Sequence, residues 1–97
     1  MINFVIKRDG SKEPFDAEKL KRAIASAARN ANFPPDKRQD LIDSLAVKVV
    51  GHFADKEEIT SLSIRDFILQ ELDAIAPTVS MAWRNHDKEK ENREKQI

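Results

Sequence analysis

No cysteine occurs among the 97 residues, which excludes disulfides, thiolate metal sites and thiol catalysis together. Tyrosine is also missing, and five Phe with one Trp leave too few rings for an aromatic base-stacking platform. Net charge is absent as well. The 17 Lys and Arg stand against 17 Asp and Glu, so no global field draws the chain to nucleic acid or to an anionic membrane, and any grip on an anion is local. No apolar run approaches the length that spans a membrane, and the opening MINFVIKRDG is too short and too charged for a signal peptide. A cytoplasmic location is therefore expected. What is present, 40% apolar and 35% charged residues, describes a soluble, helix-rich chain. Its length makes one domain with a modest core and no deep enzyme cleft.

Along the chain, Ile2, Phe4 and Ile6 alternate with Asn3, Val5 and Lys7, the period of a strand that turns its first set to the core. Asp9-Gly10 tolerates the positive φ of a tight hairpin. Lys12 to Phe15 then returns as a short strand, at an edge because Pro14 has no amide to donate. Asp16 is a helix N-cap, and a stripe of Leu20, Ala23, Ile24, Ala27, Ala28 and Ala31 predicts a helix to about Ala31 whose alanines admit a close neighbour. Asn32-Phe33-Pro34-Pro35 ends it and starts a second helix. That helix carries Leu41, Ile42, Leu45, Val49, Val50 and Phe53 on one side, to about Phe53. Ile59-Thr60 is extended in propensity and can add a third strand. Ser61 or Ser63 then caps a third helix, with Ser63 and Asp66 spaced as a capping box, and Ile64, Phe67, Ile68, Leu72 and Ile75 form its core stripe. Pro77 marks a boundary, after which Val79, Ala82, Trp83 and His86 share one face of a fourth helix. Apolar periodicity stops at Asp87. The expected domain therefore covers 1–86, and 87–97 is a charged helical extension or frayed tail. The pattern predicts an α+β fold, a four-helix bundle capped by a small three-stranded sheet made of the N-terminal hairpin and a short third strand.

Chemistry concentrates between Val5 and Leu20. Lys7 and Arg8 precede the turn, and a mobile ammonium beside a planar guanidinium suits phosphate oxygens. Taken alone, both read more readily as solubilising residues at a strand end, and strict alternation would put them on opposite faces unless the turn starts early. Lys19 stands in the first turn of its helix, where the dipole opposes a cation by roughly 0.3–1 kcal/mol and a bound anion would reverse the penalty. Alternatively it pairs with Glu18 or reaches Glu13. His52 and His86 read as ordinary surface or helix-end histidines, and Trp83 as a core anchor. No nucleophile with a base stands out, so no catalysis is expected.

Val5, Lys7-Arg8-Asp9-Gly10, Glu13, Phe15-Asp16 and Lys19-Leu20 resemble the signature of the ATP-cone family. This is the nucleotide-binding regulatory module at the N-terminus of many ribonucleotide reductases and in the zinc-ribbon repressor of their genes. The similarity extends through Ile59-Thr60-Ser61 and the proline-started last helix, from Asn3 to about Arg84. It implies a stand-alone regulatory domain, free or excised from a larger chain, that binds ATP or dATP, with or without Mg²⁺, and holds no structural metal. Its signal would pass through a homo-oligomer or a larger regulated protein, with no direct nucleic-acid contact. By motif position Lys7 and Arg8 contact phosphates, Lys19 reaches the triphosphate, and Glu13 and Asp16 face the base or sugar. Val5 and Phe15 belong to the same site, and Ser61 and Arg65 add polar contacts from the third helix. The chain departs from the family at Ser80 and Ala82, where an aromatic residue and an arginine are frequent. That departure supports an alternative, a protein-interaction domain of the same fold that has lost its nucleotide.

Overall fold

Asp9 and Gly10 fold the N-terminal segment back on itself. The Gly10 amide donates to Lys7 O at 2.9 Å, the Lys7 amide donates to Ser11 O at 2.8 Å, and Gly10 takes φ 87°, a conformation that costs a residue without Cβ nothing. The Asp9 carboxylate stiffens the bend by accepting from the Ser11 amide at 3.0 Å and the Ser11 hydroxyl at 2.7 Å. The turn therefore begins at Lys7. In the computed structural model, which describes residues 1–95 and the side chains as far as His86, this hairpin joins β1 (Phe4–Ile6) to β2 (Lys12–Pro14). There follow α1 (Ala17–Asn30), α2 (Pro35–His52), β3 (Glu58–Thr60), α3 (Ser61–Ile75) and α4 (Pro77–Lys95). The side chains of 87–95 and the last two residues, where the charged extension was expected, lie outside what is described.

The sheet order is β2-β1-β3. β1 runs antiparallel to β2, with Val5 opposite Glu13, and parallel to β3, with Val5 opposite Ile59. Pro14 is thus on an edge strand, where its missing donor costs no ladder bond. The expected core face of β1 is corrected. Ile2 is buried but Phe4 is 39% exposed, and Val5 packs on the core instead. The amides of Asn3 and Phe4 both donate to Glu57 O, at 2.8 and 3.1 Å. Two residues against one carbonyl shift the alternation, so that Ile2 and Val5 point the same way. The Phe4 ring faces solvent under the Lys12 ammonium, 5.1 Å from its centroid, and Lys12 also pairs with Glu58 across the sheet.

Asp16 caps α1, its carboxylate accepting from the Glu18 and Lys19 amides at 3.0 and 3.4 Å. The helix ends at Asn30 with Asn32 in the left-handed region at φ 55°, where asparagine is tolerated. The Phe33 amide closes the end onto Ala28 O at 3.0 Å. Thr60, not Ser61 or Ser63, caps α3: its hydroxyl accepts from the Ser63 amide at 3.1 Å and donates to Ser63 Oγ at 2.8 Å. The anticipated Ser63–Asp66 box gives way because helix begins one residue earlier, straight from the strand, and Asp66 pairs with Arg65. Ile24, Leu45, Val49, Ile68, Leu72 and Val79 form the fully buried centre, with Ala27 and Ala28 of α1 buried among them. α1 packs on α2 and α4, and α3 packs on α2 and α4.

α4 is docked by a polar clamp. Ser80 is fully buried and donates to Asp73 of α3. Arg84, one turn further, forks onto the same carboxylate at 2.8 and 2.9 Å. The Arg84 guanidinium and then the Ser80 hydroxyl pull the Asp73 carboxyl down from its ordinary 3.8 to about 2. A carboxyl lowered in the folded state contributes stability above its unfolded pKa and loses it as pH falls through the folded value. The melting temperature of Asp73→Asn should therefore lie below that of the parent protein by a constant margin from pH 7 to about pH 4, with the margin closing toward pH 2. Thermal melts across that range check this, and a margin that does not narrow in acid refutes the clamp.

Candidate functional site

The short strands cover only part of the helix bundle, and where β1 and β2 meet α1, α3 and α4 a cavity of about 400 Å³ remains. Three local events bring its walls together. The hairpin returns Glu13, Pro14 and Phe15 beside Val5; the Asp16 cap turns the chain into α1, presenting Lys19, Leu20 and Ala23; and the parallel β1–β3 pairing delivers the start of α3 with Ser61, Ile64, Arg65 and Ile68. Trp83 of α4 completes the lining. One wall is apolar and the rim is charged.

Seven of the nine residues expected at the site line this cavity: Val5, Glu13, Phe15, Asp16, Lys19, Ser61 and Arg65. Lys7 and Arg8 do not. They sit in the turn, exposed, and Lys7 is connected to the cavity through Glu13. The Glu13 carboxylate bridges two cations, with Oε2 3.1 Å from Lys7 Nζ and Oε1 3.3 Å from Lys19 Nζ. The bond from Lys7 draws the Glu13 carboxyl below the usual glutamate range; partial burial opposes this and Lys19 adds to it. Of the alternatives for Lys19, the pair with Glu13 is the one formed, while Glu18 lies 3.9 Å from Lys21. A carboxylate at the first turn thereby offsets the unfavourable position of the Lys19 charge.

The apolar half of the cavity was less legible. Ala23 belongs to the hydrophobic stripe of α1 yet is exposed, because it faces this space and not a neighbouring helix. Ile64 and Ile68, only 8% and 0% exposed, serve core and cavity at once. Trp83 packs against the core as an anchor and also forms the cavity wall. Behind it, a groove of about 160 Å³ between α1 and α4 shares Ala23 and Trp83 and contains Ala82 and His86. Neither of the two departures, Ser80 and Ala82, lines the larger cavity. His52 stacks on Phe67 with centroids 4.3 Å apart. Among the described residues no three His, Cys, Asp or Glu side chains gather to hold a metal, and no helix is long and apolar enough to cross a membrane.

Residues 3–91 match the model of the ATP cone domain family. Among individual proteins, the chain is 35% identical over 68 residues to the transcriptional repressor NrdR of Thermosynechococcus vestitus, covering 70% of this chain and 41% of that one. It is 32% identical over 75 residues to NrdR of Chloroflexus aggregans, covering 74% and 42%. NrdR of Geotalea daltonii is 33% identical over 75 residues, covering 77% and 49%. The chain thus spans less than half the length of these curated relatives.

The bridged carboxylate has a direct signature. In a carbon-detected NMR titration the Glu13 carboxyl should protonate below the ordinary glutamate value of 4.5. Lys7→Ala should raise its midpoint more than Lys19→Ala does, following the order of the two causes. Equal midpoints in all three proteins would show that the bridge does not persist in solution.

Proposed function

The chain belongs to the ATP-cone domain family, and from that premise we propose that it is a non-enzymatic nucleotide-sensing module that binds ATP or dATP in the cavity between sheet and helices. The observation that carries this reading is the meeting of both motif segments, Val5 to Leu20 and Ser61 with Arg65, at one cavity with an apolar wall and a cationic rim. Its volume falls in the roughly 300–1,000 Å³ range of small-molecule sites. Lys19 in the first turn of α1, with Lys7 and Arg8 in the adjoining turn, supplies charge for a triphosphate. Glu13 and Asp16 face the base or sugar, Val5 and Phe15 pack against it, and Ser61 and Arg65 add polar contacts from α3. Mg²⁺, where present, would accompany the phosphates rather than occupy a protein site.

The occupied state is read out through self-association or through contact with a larger regulated protein. The relatives are transcriptional repressors by name, and a sensor of this size would inform such a function without reading nucleic acid itself, given zero net charge and no cysteine. The alternative of a ligand-free interaction domain rested on Ser80 and Ala82. Ser80 is committed to docking α4 and Ala82 to the smaller groove, so neither argues against a ligand in the larger one.

A ligand at 100 times its dissociation constant stabilises the folded state by about 2.7 kcal/mol. ATP or dATP at millimolar concentration, with and without Mg²⁺, should therefore raise the melting temperature by several degrees. Trp83 is the only tryptophan, so its emission should change in the same titration. Lys7→Ala combined with Arg8→Ala should abolish the shift while leaving the circular dichroism spectrum intact. A melting temperature indifferent to both nucleotides would sink the nucleotide reading and favour the interaction domain.

A further inference from the structure

Glu13 stands where a phosphate would be useful. Its two carboxylate oxygens each hold one ammonium group, from Lys7 in the hairpin turn and Lys19 in α1, at 3.1 and 3.3 Å, so these two ammonium groups already share an internal anion beside the cavity. A carboxylate and a phosphate present the same kind of oxygen to a lysine. If Glu13 kept both lysines while a polyphosphate entered, two anions would share one pair of cations, an arrangement that like-charge repulsion disfavours. The bridge is also built to open. The Lys7, Glu13 and Lys19 side chains are 46%, 32% and 64% exposed, and ion pairs so exposed are held weakly.

We propose that Glu13 is a built-in competitor for the phosphate chain, so that the site fills by exchange: Lys7 and Lys19 leave the Glu13 carboxylate for ligand oxygens. This rests on the nucleotide reading and adds to it the residue that sets how much negative charge a ligand must bring. A ligand with a single exposed phosphate oxygen near one lysine leaves the bridge half made. A polyphosphate reaches both ammonium groups and replaces both bonds. The released carboxylate is then free to turn toward the sugar or base side of the cavity.

Inorganic tripolyphosphate isolates the exchange, because it has no sugar or base for Glu13 to touch. Calorimetric titration of the whole chain in metal-free buffer at low ionic strength would compare the parent protein with Glu13→Gln, Glu18→Gln and Glu13→Gln/Lys19→Gln. Removing the competitor should tighten tripolyphosphate binding about three- to tenfold, the range expected from freeing two exposed pairs. The added Lys19→Gln change should cancel the gain. Glu18→Gln removes the same charge from the start of α1, where Glu18 lies near Lys21, without freeing Lys7 or Lys19, and should change little. Unchanged or weaker binding by Glu13→Gln overturns the competitor, as does an equal gain in Glu18→Gln, which would assign the effect to the general field. Either result leaves the nucleotide reading standing if the parent protein still binds ATP. If no variant binds tripolyphosphate and the parent binds no ATP, both fall together.

Discussion

The parallel pairing of Phe4–Ile6 with Glu58–Thr60 is the contact on which the rest of this molecule depends. It joins segments more than fifty residues apart in the chain, and the loop entropy of closing them is met by burial of Ile2, Val5 and Ile59 against the helices. Through it the basic hairpin comes to lie beside the first turn of α3, and a cavity forms that neither segment could enclose by itself. The strands are three residues each, too short to close over the bundle. The same shortness that makes the sheet marginal leaves the space that a ligand can use.

Charge in this chain is arranged pair by pair. Lys7 and Lys19 meet on Glu13, Lys12 meets Glu58 across the sheet, and Asp73 receives both Ser80 and Arg84 at the contact of α3 with α4. Zero net charge therefore hides local fields of definite sign. These pairs do different work. The Asp73 clamp has a buried hydroxyl at its base and fixes a helix, which in turn fixes the Trp83 wall. The Glu13 bridge is open to solvent and holds side chains that can change partners without disturbing any element.

Much of the architecture was legible in the sequence because its signals were local. Asp9-Gly10, the Asp16 cap, the prolines at 34, 35 and 77 and the apolar stripes of the helices placed the elements within a few residues and in the right order. The motif residues from Val5 to Lys19 were legible through the family resemblance. Their own chemistry supported only a weak anion grip, since pairs such as Lys7 with Glu13 cannot be told from other combinations of nearby charges. Two misreadings share one cause. Alternation assigns Phe4 to the core and cap spacing assigns Ser61 or Ser63 to the start of α3, because both patterns assume regular geometry. The doubled contact of Asn3 and Phe4 on Glu57, and the direct run of β3 into α3, break that regularity.

By itself, then, the sequence determined the element order and most of the core stripes, although Val50 and Ile75, which the helical period assigns to those stripes, are 40% and 50% exposed. Those properties follow from period, propensity and the turn residues, all read within a few positions of one another. Only the tertiary structure decided which partner each charge takes, that Ala23 and Trp83 face a cavity instead of a helix, and that Ser80 belongs to a clamp. Those outcomes depend on long-range strand pairing and on the gap left when a very small sheet meets four helices. No local pattern encodes a distance between residues that meet only after the chain has folded.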